Sequence, residues 1–187
     1  MKVSVYIATT VDGFMARENG GLDWLPGSDG IVDPELGNED FGFRAFMDSV
    51  DALVMGRNTY ELVISSGQWP YGDVKVVVLS NSLQRLSDVV PDTVQLKSCS
   101  PLKLYQELAD AGINHLYVDG GKTIQSFIAA GLINEITITK IPVLIASGIP
   151  LFGGISKDIK LRHLITNSYR NGFVQTTYEI VSDFSTC

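Results

Sequence analysis

Three short stretches of this 187-residue chain carry residues suited to gripping an anion: MGRNTYE (55–61), VLSNSL (78–83) and VDGGKTIQ (118–125). In each, an apolar run gives way to glycine or small polar residues. In the first, Gly56 lets the backbone approach a ligand, Arg57 can donate a fork of hydrogen bonds to phosphate, and Asn58 or Thr59 can cap a helix or add a donor. The second offers Ser80, Asn81 and Ser82 after a strand. The third places Gly120 and Gly121 directly before a helix that opens with Lys122 and Thr123. The chemistry these residues share is capture of negative charge at helix starts, where unpaired N–H groups and the helix dipole both favour it. Any one stretch also reads as an ordinary strand–helix turn, with glycine for backbone freedom and Ser or Asn for capping. Three at one sheet edge favour a ligand.

The elements that must position them follow from hydrophobic periodicity. VSVYIA, DALVMG, VKVVVLS and HLYVDGG are short β-branched runs that read as strands. Between them GFRAFMDSV, NTYELVISS, PLKLYQELADAG and KTIQSFIAAGL space apolar residues as helices do, with Pro101 near one helix start and Gly112 and Gly131 past two ends. That alternation predicts a parallel sheet with crossover helices. After Gly131 the pattern changes. Ile136, Ile138 and Ile141 alternate with Thr137, Thr139 and Lys140, and FVQTTYEIV follows without an intervening helix, so an antiparallel pair is expected at the end. The Gly-, Asp- and Pro-rich stretch 19–39 reads as a lid over a pocket.

Composition narrows the classes. With 45% hydrophobic and 19% charged residues the chain can bury a core as one domain, 1–187. A net charge of -7 argues against a nucleic-acid footprint and against anionic membranes, so an anionic ligand needs a focused site. The absence of a signal-like N-terminus and of a membrane-length apolar run predicts a cytoplasmic protein. Cys99 and Cys187 form no CxxC, and His115 and His163 are isolated, so no metal site is expected. GGKT ends like a P-loop, but Leu116 stands where its first glycine belongs, and no GxGxxG follows the first strand.

Taken in order, YIATTVDGFMARENGGLDW, VDALVMGRNTYE, VVVLSNS and the run from LYVDGGKTIQ to IPLF resemble the dihydrofolate-reductase-like superfamily. The resemblance is strongest to the branch containing the reductase domain of bacterial riboflavin-biosynthesis enzymes. It implies a three-layer α/β/α fold with a mostly parallel sheet and antiparallel C-terminal strands. It also implies NADPH as cofactor, a small-molecule substrate and a homodimer. By position, Gly56, Arg57 and Thr59 would hold cofactor phosphates, and Ser80, Asn81 and Ser82 would lie near the adenosine ribose and its 2′-phosphate. Gly120 and Gly121 would meet the pyrophosphate beside Lys122 and Thr123, and Ala8 would lie near the nicotinamide. Asp40, Asp12 and Trp24 are the catalytic candidates: Asp40, with Glu39 beside it, matches the carboxylate of dihydrofolate reductase, and the other two belong to its mobile loop. Each has a plainer reading as a helix cap, a turn and a packing residue respectively. The implied activity is reduction of 5-amino-6-(5-phosphoribosylamino)uracil, for whose phosphate Arg17, Arg44 and Lys140 are candidate partners. Dihydrofolate reduction, or nucleotide binding without turnover, is the alternative.

Overall fold

The computed structural model describes residues 1–26, 39–67, 69–155 and 157–181. Its elements run β1 (Lys2–Thr10), β2 (Phe14–Ala16), α1 (Phe43–Asp48), β3 (Ala52–Gly56), α2 (Arg57–Ser65), β4 (Lys75–Leu79), β5 (Val94–Lys97), α3 (Pro101–Asp110), β6 (His115–Asp119), α4 (Gly121–Ala129), β7 (Glu135–Ile141), β8 (Ile149–Pro150), β9 (Leu161–Ser168) and β10 (Val174–Ile180). Eight strands form one sheet in the order β5-β4-β3-β6-β1-β7-β10-β9. Every pairing from β5 to β7 is parallel, while β10 is antiparallel to both β7 and β9. The small strands β2 and β8 pair separately.

Successive residues of a strand face opposite sides of its sheet, and the core divides accordingly. Ala52 and Val54 of β3, with Leu116 and Val118 of β6, pack with Leu104 and Leu108 of α3 and Ile124 and Phe127 of α4. The alternate residues Leu53, Met55 and Tyr117 pack instead with Phe46 and Met47 of α1 and Tyr60 of α2. Both faces are therefore covered, which is why the central strands are apolar along their whole length. The expected three-layer α/β/α architecture is the one found.

Differences from the sequence reading are local. α2 begins at Arg57, with Gly56 as its N-cap, so Asn58 and Thr59 lie inside the first turn and cap nothing. The antiparallel end contains β9 as well, which the apolar pattern does not reveal because all eight of its residues are exposed. β5 has only four residues and escaped for want of length. Of the lid stretch, residues 27–38 lie outside the described residues. No helix among the described residues is long and apolar enough to cross a membrane, and none of their His, Cys, Asp and Glu side chains form a group that could hold a metal.

Candidate functional site

Register brings the three anion-suited stretches together. Gly56 is level with Leu79 across β3 and β4, and Met55 is level with Asp119 across β3 and β6, so Ser80, Gly56 and Gly120 sit at the same carboxyl edge of adjacent strands. Ligands of open α/β sheets settle outside this edge.

The two central junctions interlock. A Cβ on Gly56 would lie 2.7 Å from Thr123 Oγ1, and one on Gly120 would strike Thr59 Oγ1, with Thr59 Cβ at 3.3 Å. Each helix start thus inserts a threonine where the neighbouring junction has no side chain. Gly120 also adopts φ 85°, a region that favours glycine. The consequence is two helix N-termini held side by side. Both are uncapped by side chains, whereas α3 is capped by Ser100, whose Oγ accepts from Lys103 N at 3.3 Å. The first N–H groups of a helix have no intrahelical acceptor, so α2 and α4 present unclaimed donors and converging dipoles.

The flanking charges are solvent-facing. Arg57 is exposed, with its Nε 3.7 Å from Glu61, and Lys122 is exposed on the first turn of α4. At the third junction Ser80 Oγ accepts from Ser82 N at 3.2 Å and Leu83 N at 3.0 Å, closing a turn that leaves Asn81 and Ser82 exposed. Asn81 Oδ1 accepts from Ser98 Oγ at 2.6 Å. Gly121 abuts Met15, whose flexible Cε occupies the space a Cβ would take. Ala8 lies near the end of β1, level with Thr139 of β7.

Among the catalytic candidates, Asp40 does what a helix cap does. Its Oδ1 accepts from Gly42 N at 3.0 Å and its Oδ2 from Arg44 N at 3.1 Å. These backbone bonds hold its carboxyl below the ordinary value. Asparagine keeps one of the two acceptor oxygens and is itself a good helix cap, so Asp40→Asn is expected to cost a little stability and to keep a turnover rate near wild type. A hundredfold fall in steady-state rate would instead assign Asp40 to the reaction.

Asp12 is a loop clamp. Its Oδ2 accepts from Ala146 N at 2.9 Å and Ile145 N at 3.2 Å, tying the β1–β2 turn to the segment after β7, where Ala146 itself adopts φ 63°. Trp24 is 8% exposed and packs with Ile141, Phe173 and Ala8, yet its Nε1–H is buried without an acceptor. Of the proposed phosphate partners, Arg17 is already held by Asp23 through two 2.7 Å bonds. Arg44 lies on α1 and Lys140 on β7, both exposed.

Two features escaped the sequence reading. The first is Asp119, the last residue of β6. Burial pushes its carboxyl up to about 6, against the opposing effect of the hydrogen bond from Gly120 N, at 2.8 Å, and of the neighbouring Tyr117 hydroxyl, whose proton is donated to the Tyr6 carbonyl at 3.0 Å. It shares the α1 side of the sheet with Tyr117, and its charge reaches Tyr71, whose hydroxyl is raised mainly by burial. Continuing the β1–β6 register from Ser4 and Tyr117 sets Asp119 level with Tyr6. One strand spacing and two residues along β1 separate it from Ala8, a Cα distance of about 8 Å. An acid immediately before a glycine pair at the ligand edge was the available signal.

The second is a buried polar cluster behind α1. Gln175 Nε2 lies 2.7 Å from Tyr6 Oη, 3.0 Å from Thr139 Oγ1 and 3.1 Å from the Phe41 carbonyl, to which the Tyr6 hydroxyl also donates. Phe41 has φ 55° and Gly42 φ 84°. This cluster therefore pins the bent entry to α1, and with it Asp40, onto the sheet. Gln175 and Tyr6 are too distant in sequence from Phe41 for any local pattern to show it.

Comparison with known proteins places these features in context. The family model described as the RibD C-terminal domain matches residues 1–175. The uncharacterized protein YwjB of Bacillus subtilis is 34% identical over 163 residues, covering 86% of this chain and 88% of the relative. A solved structure from Shewanella sp. PV-4, whose name assigns it provisionally to riboflavin biosynthesis, is 38% identical with a TM-score of 0.88, covering 97% of this chain and all of that one. The Thermotoga maritima deaminase and 5-amino-6-(5-phosphoribosylamino)uracil reductase shares the fold, with a TM-score of 0.69 at 14% identity over 96% of this chain and 56% of its own.

Proposed function

The chain belongs to the RibD C-terminal domain family, a family of reductase domains, and from that premise we propose that it is an NADPH-dependent reductase of the 5-amino-6-(5-phosphoribosylamino)uracil type. The observation that carries the cofactor is the interlocked pair of uncapped helix starts at Gly56 and Gly120. A dinucleotide brings several negative charges, and this acidic chain gathers backbone donors, Arg57 and Lys122 at one place to meet them.

In this reading Gly56, Arg57, Thr59 and the Gly120–Thr123 turn hold the phosphates. Ser80, Asn81 and Ser82 face the adenosine end. When bound, NADPH supplies the hydride. The chain's own tasks are to orient the substrate near Ala8, to exclude water with Trp24 and its apolar neighbours, and to deliver a proton. Asp119 is the group suited to that delivery, since a carboxyl raised to about 6 still holds its proton in part near neutrality. Dihydrofolate is the second substrate to test. The MGRNTYE box supports it, while the capping role of Asp40 weighs against it.

Arg57→Ala is expected to weaken NADPH binding roughly 10- to 100-fold by removing one charge-assisted phosphate contact, read by calorimetry; unchanged affinity would remove Arg57 from the site. The test of the activity itself is loss of reduced-nicotinamide absorbance when the phosphorylated ribosylaminopyrimidine or dihydrofolate is added. The first substrate is expected to drive it. NADPH binding with no loss for either would leave a nucleotide-binding module.

A further inference from the structure

The loop that carries Asp12 is fastened to the helix that opens at Gly121. Gly121 and Gln125 are four residues apart on α4, so they lie on one face, one above the other. The small β2–β8 pair rests on that face. Met15 of β2 fills the space beside Gly121 that a Cβ would take, and Ile149 Cγ2 of β8 lies 3.8 Å from the same point. One turn further along, Gln125 Nε2 donates to the Pro150 carbonyl at 3.0 Å and to the Leu151 carbonyl at 3.3 Å. A primary amide has two N–H donors. Gln125 directs both at consecutive carbonyls where β8 ends.

From β8 the connections run on into the loop. Ile149 and Pro150 pair with Ala16 and Phe14 of β2, and Leu151 N donates to the Gly13 carbonyl at 3.1 Å. Asp12 holds the preceding segment through Ile145 N and Ala146 N. Thr10 Oγ1 accepts from Phe14 N at 3.0 Å and ties β2 to the end of β1. The joint is stiff as well as connected. Met15 and Leu151 are buried and pack with Ile124 and Phe127 of α4, and close-packed interiors transmit displacement rather than absorb it. Among the described residues, Gln125 supplies the polar fastening between helix and loop, and Met15 the apolar one.

We propose that Gln125, a full turn back from the ligand edge, is a positioning residue that couples occupancy of the Gly120–Thr123 turn to the setting of the loop around Asp12. The coupling rests on the cofactor reading above. Phosphate oxygens that engage the first N–H groups of α4 hold its first turn in place. Met15 and Gln125 carry that restraint to β8, and β8 carries it to the loop. Cofactor therefore orders the loop before substrate arrives. The effect is reciprocal, because a ligand that steadies the loop is bound more tightly when the loop is already steady. Residue type fits the task. Methionine at 125 would fill similar space and donate nothing, whereas lysine would keep a donor of similar reach.

Amide hydrogen exchange read by NMR on the full chain tests this with 2′-phospho-ADP-ribose, which carries the phosphates of NADPH and lacks its nicotinamide. In wild type, saturating probe is expected to slow exchange at Ile145, Ala146 and Leu151 about fivefold or more, although those amides donate to Asp12 and Gly13 rather than to phosphate. Gln125→Met is expected to bind the probe by calorimetry and to show no slowing at the three amides; Gln125→Lys is expected to keep it. A merely structural Gln125 would instead let exchange rise in the methionine variant with the probe's effect intact. Probe bound by wild type without slowing at those amides, or slowing that survives in Gln125→Met, would overturn the coupling and leave the cofactor site standing. Failure of wild type to bind either the probe or NADPH would overturn the cofactor reading and the coupling with it.

Discussion

Asp119→Asn is expected to slow turnover about 100-fold or more while making the unliganded protein more stable at neutral pH. The rate effect is the usual size for removal of a positioned proton donor. The stability effect follows from linkage. The folded carboxyl is raised from 3.8 to about 6, so between those values the folded state holds more protons than the unfolded one. The protein's stability with respect to this group is therefore greatest below about pH 4 and falls as pH rises through about 6. At neutral pH the buried carboxylate costs about 1–3 kcal/mol. Asparagine keeps an oxygen for Gly120 N and carries no charge, so urea melts should show the variant more stable at about pH 7.5, with the gap narrowing toward about pH 5. Unchanged turnover would remove Asp119 from the reaction. A constant stability difference across that range would remove its titration from the fold.

The second large effect is at Gly120. Alanine there must adopt φ 85° and drive its Cβ into Thr59 Oγ1. Backbone strain and overpacking together are expected to cost about 2–5 kcal/mol and to spread the two helix starts apart, so that NADPH affinity falls with stability. Gly121→Ala is the control. Its Cβ would displace the end of the unbranched Met15 side chain and touch Ile149 at ordinary contact distance, and a loss below about 1.5 kcal/mol is expected. Adding Thr59→Ala to Gly120→Ala should restore the part due to collision and leave the part due to φ. Equal losses at Gly120 and Gly121 would mean that the interlock does not set the junction.

These two residues also show how far the sequence could be read. The strands β1, β3, β4, β6, β7 and β10 and the four helices follow from apolar runs and helical spacing, because a sheet covered on both faces writes its burial directly into residue type. Gly56, Arg57 and Gly120 were legible as candidates for the same reason: strand ends and helix starts can be located. β9 left no trace, since a strand buried on neither face has no pattern to leave. The interlock of Thr59 with Gly120 was not legible either, because it depends on β3 and β6 being neighbours, a fact of pairing rather than of local sequence. Asp40 was singled out through the resemblance, with a helix cap as its plainer reading, and it accepts from Gly42 N and Arg44 N at the entry to α1, as acids at helix starts do. Asp119 looked like part of a turn, and only burial distinguishes it.

The most direct test of the cofactor site is amide hydrogen exchange with and without saturating NADPH. The account predicts slowed exchange at residues 56–59 and 120–123, where the first turns of α2 and α4 would donate to phosphate, with little change in the first turn of α3, which Ser100 already caps. Exchange at both helix starts unaltered by saturating NADPH would contradict it.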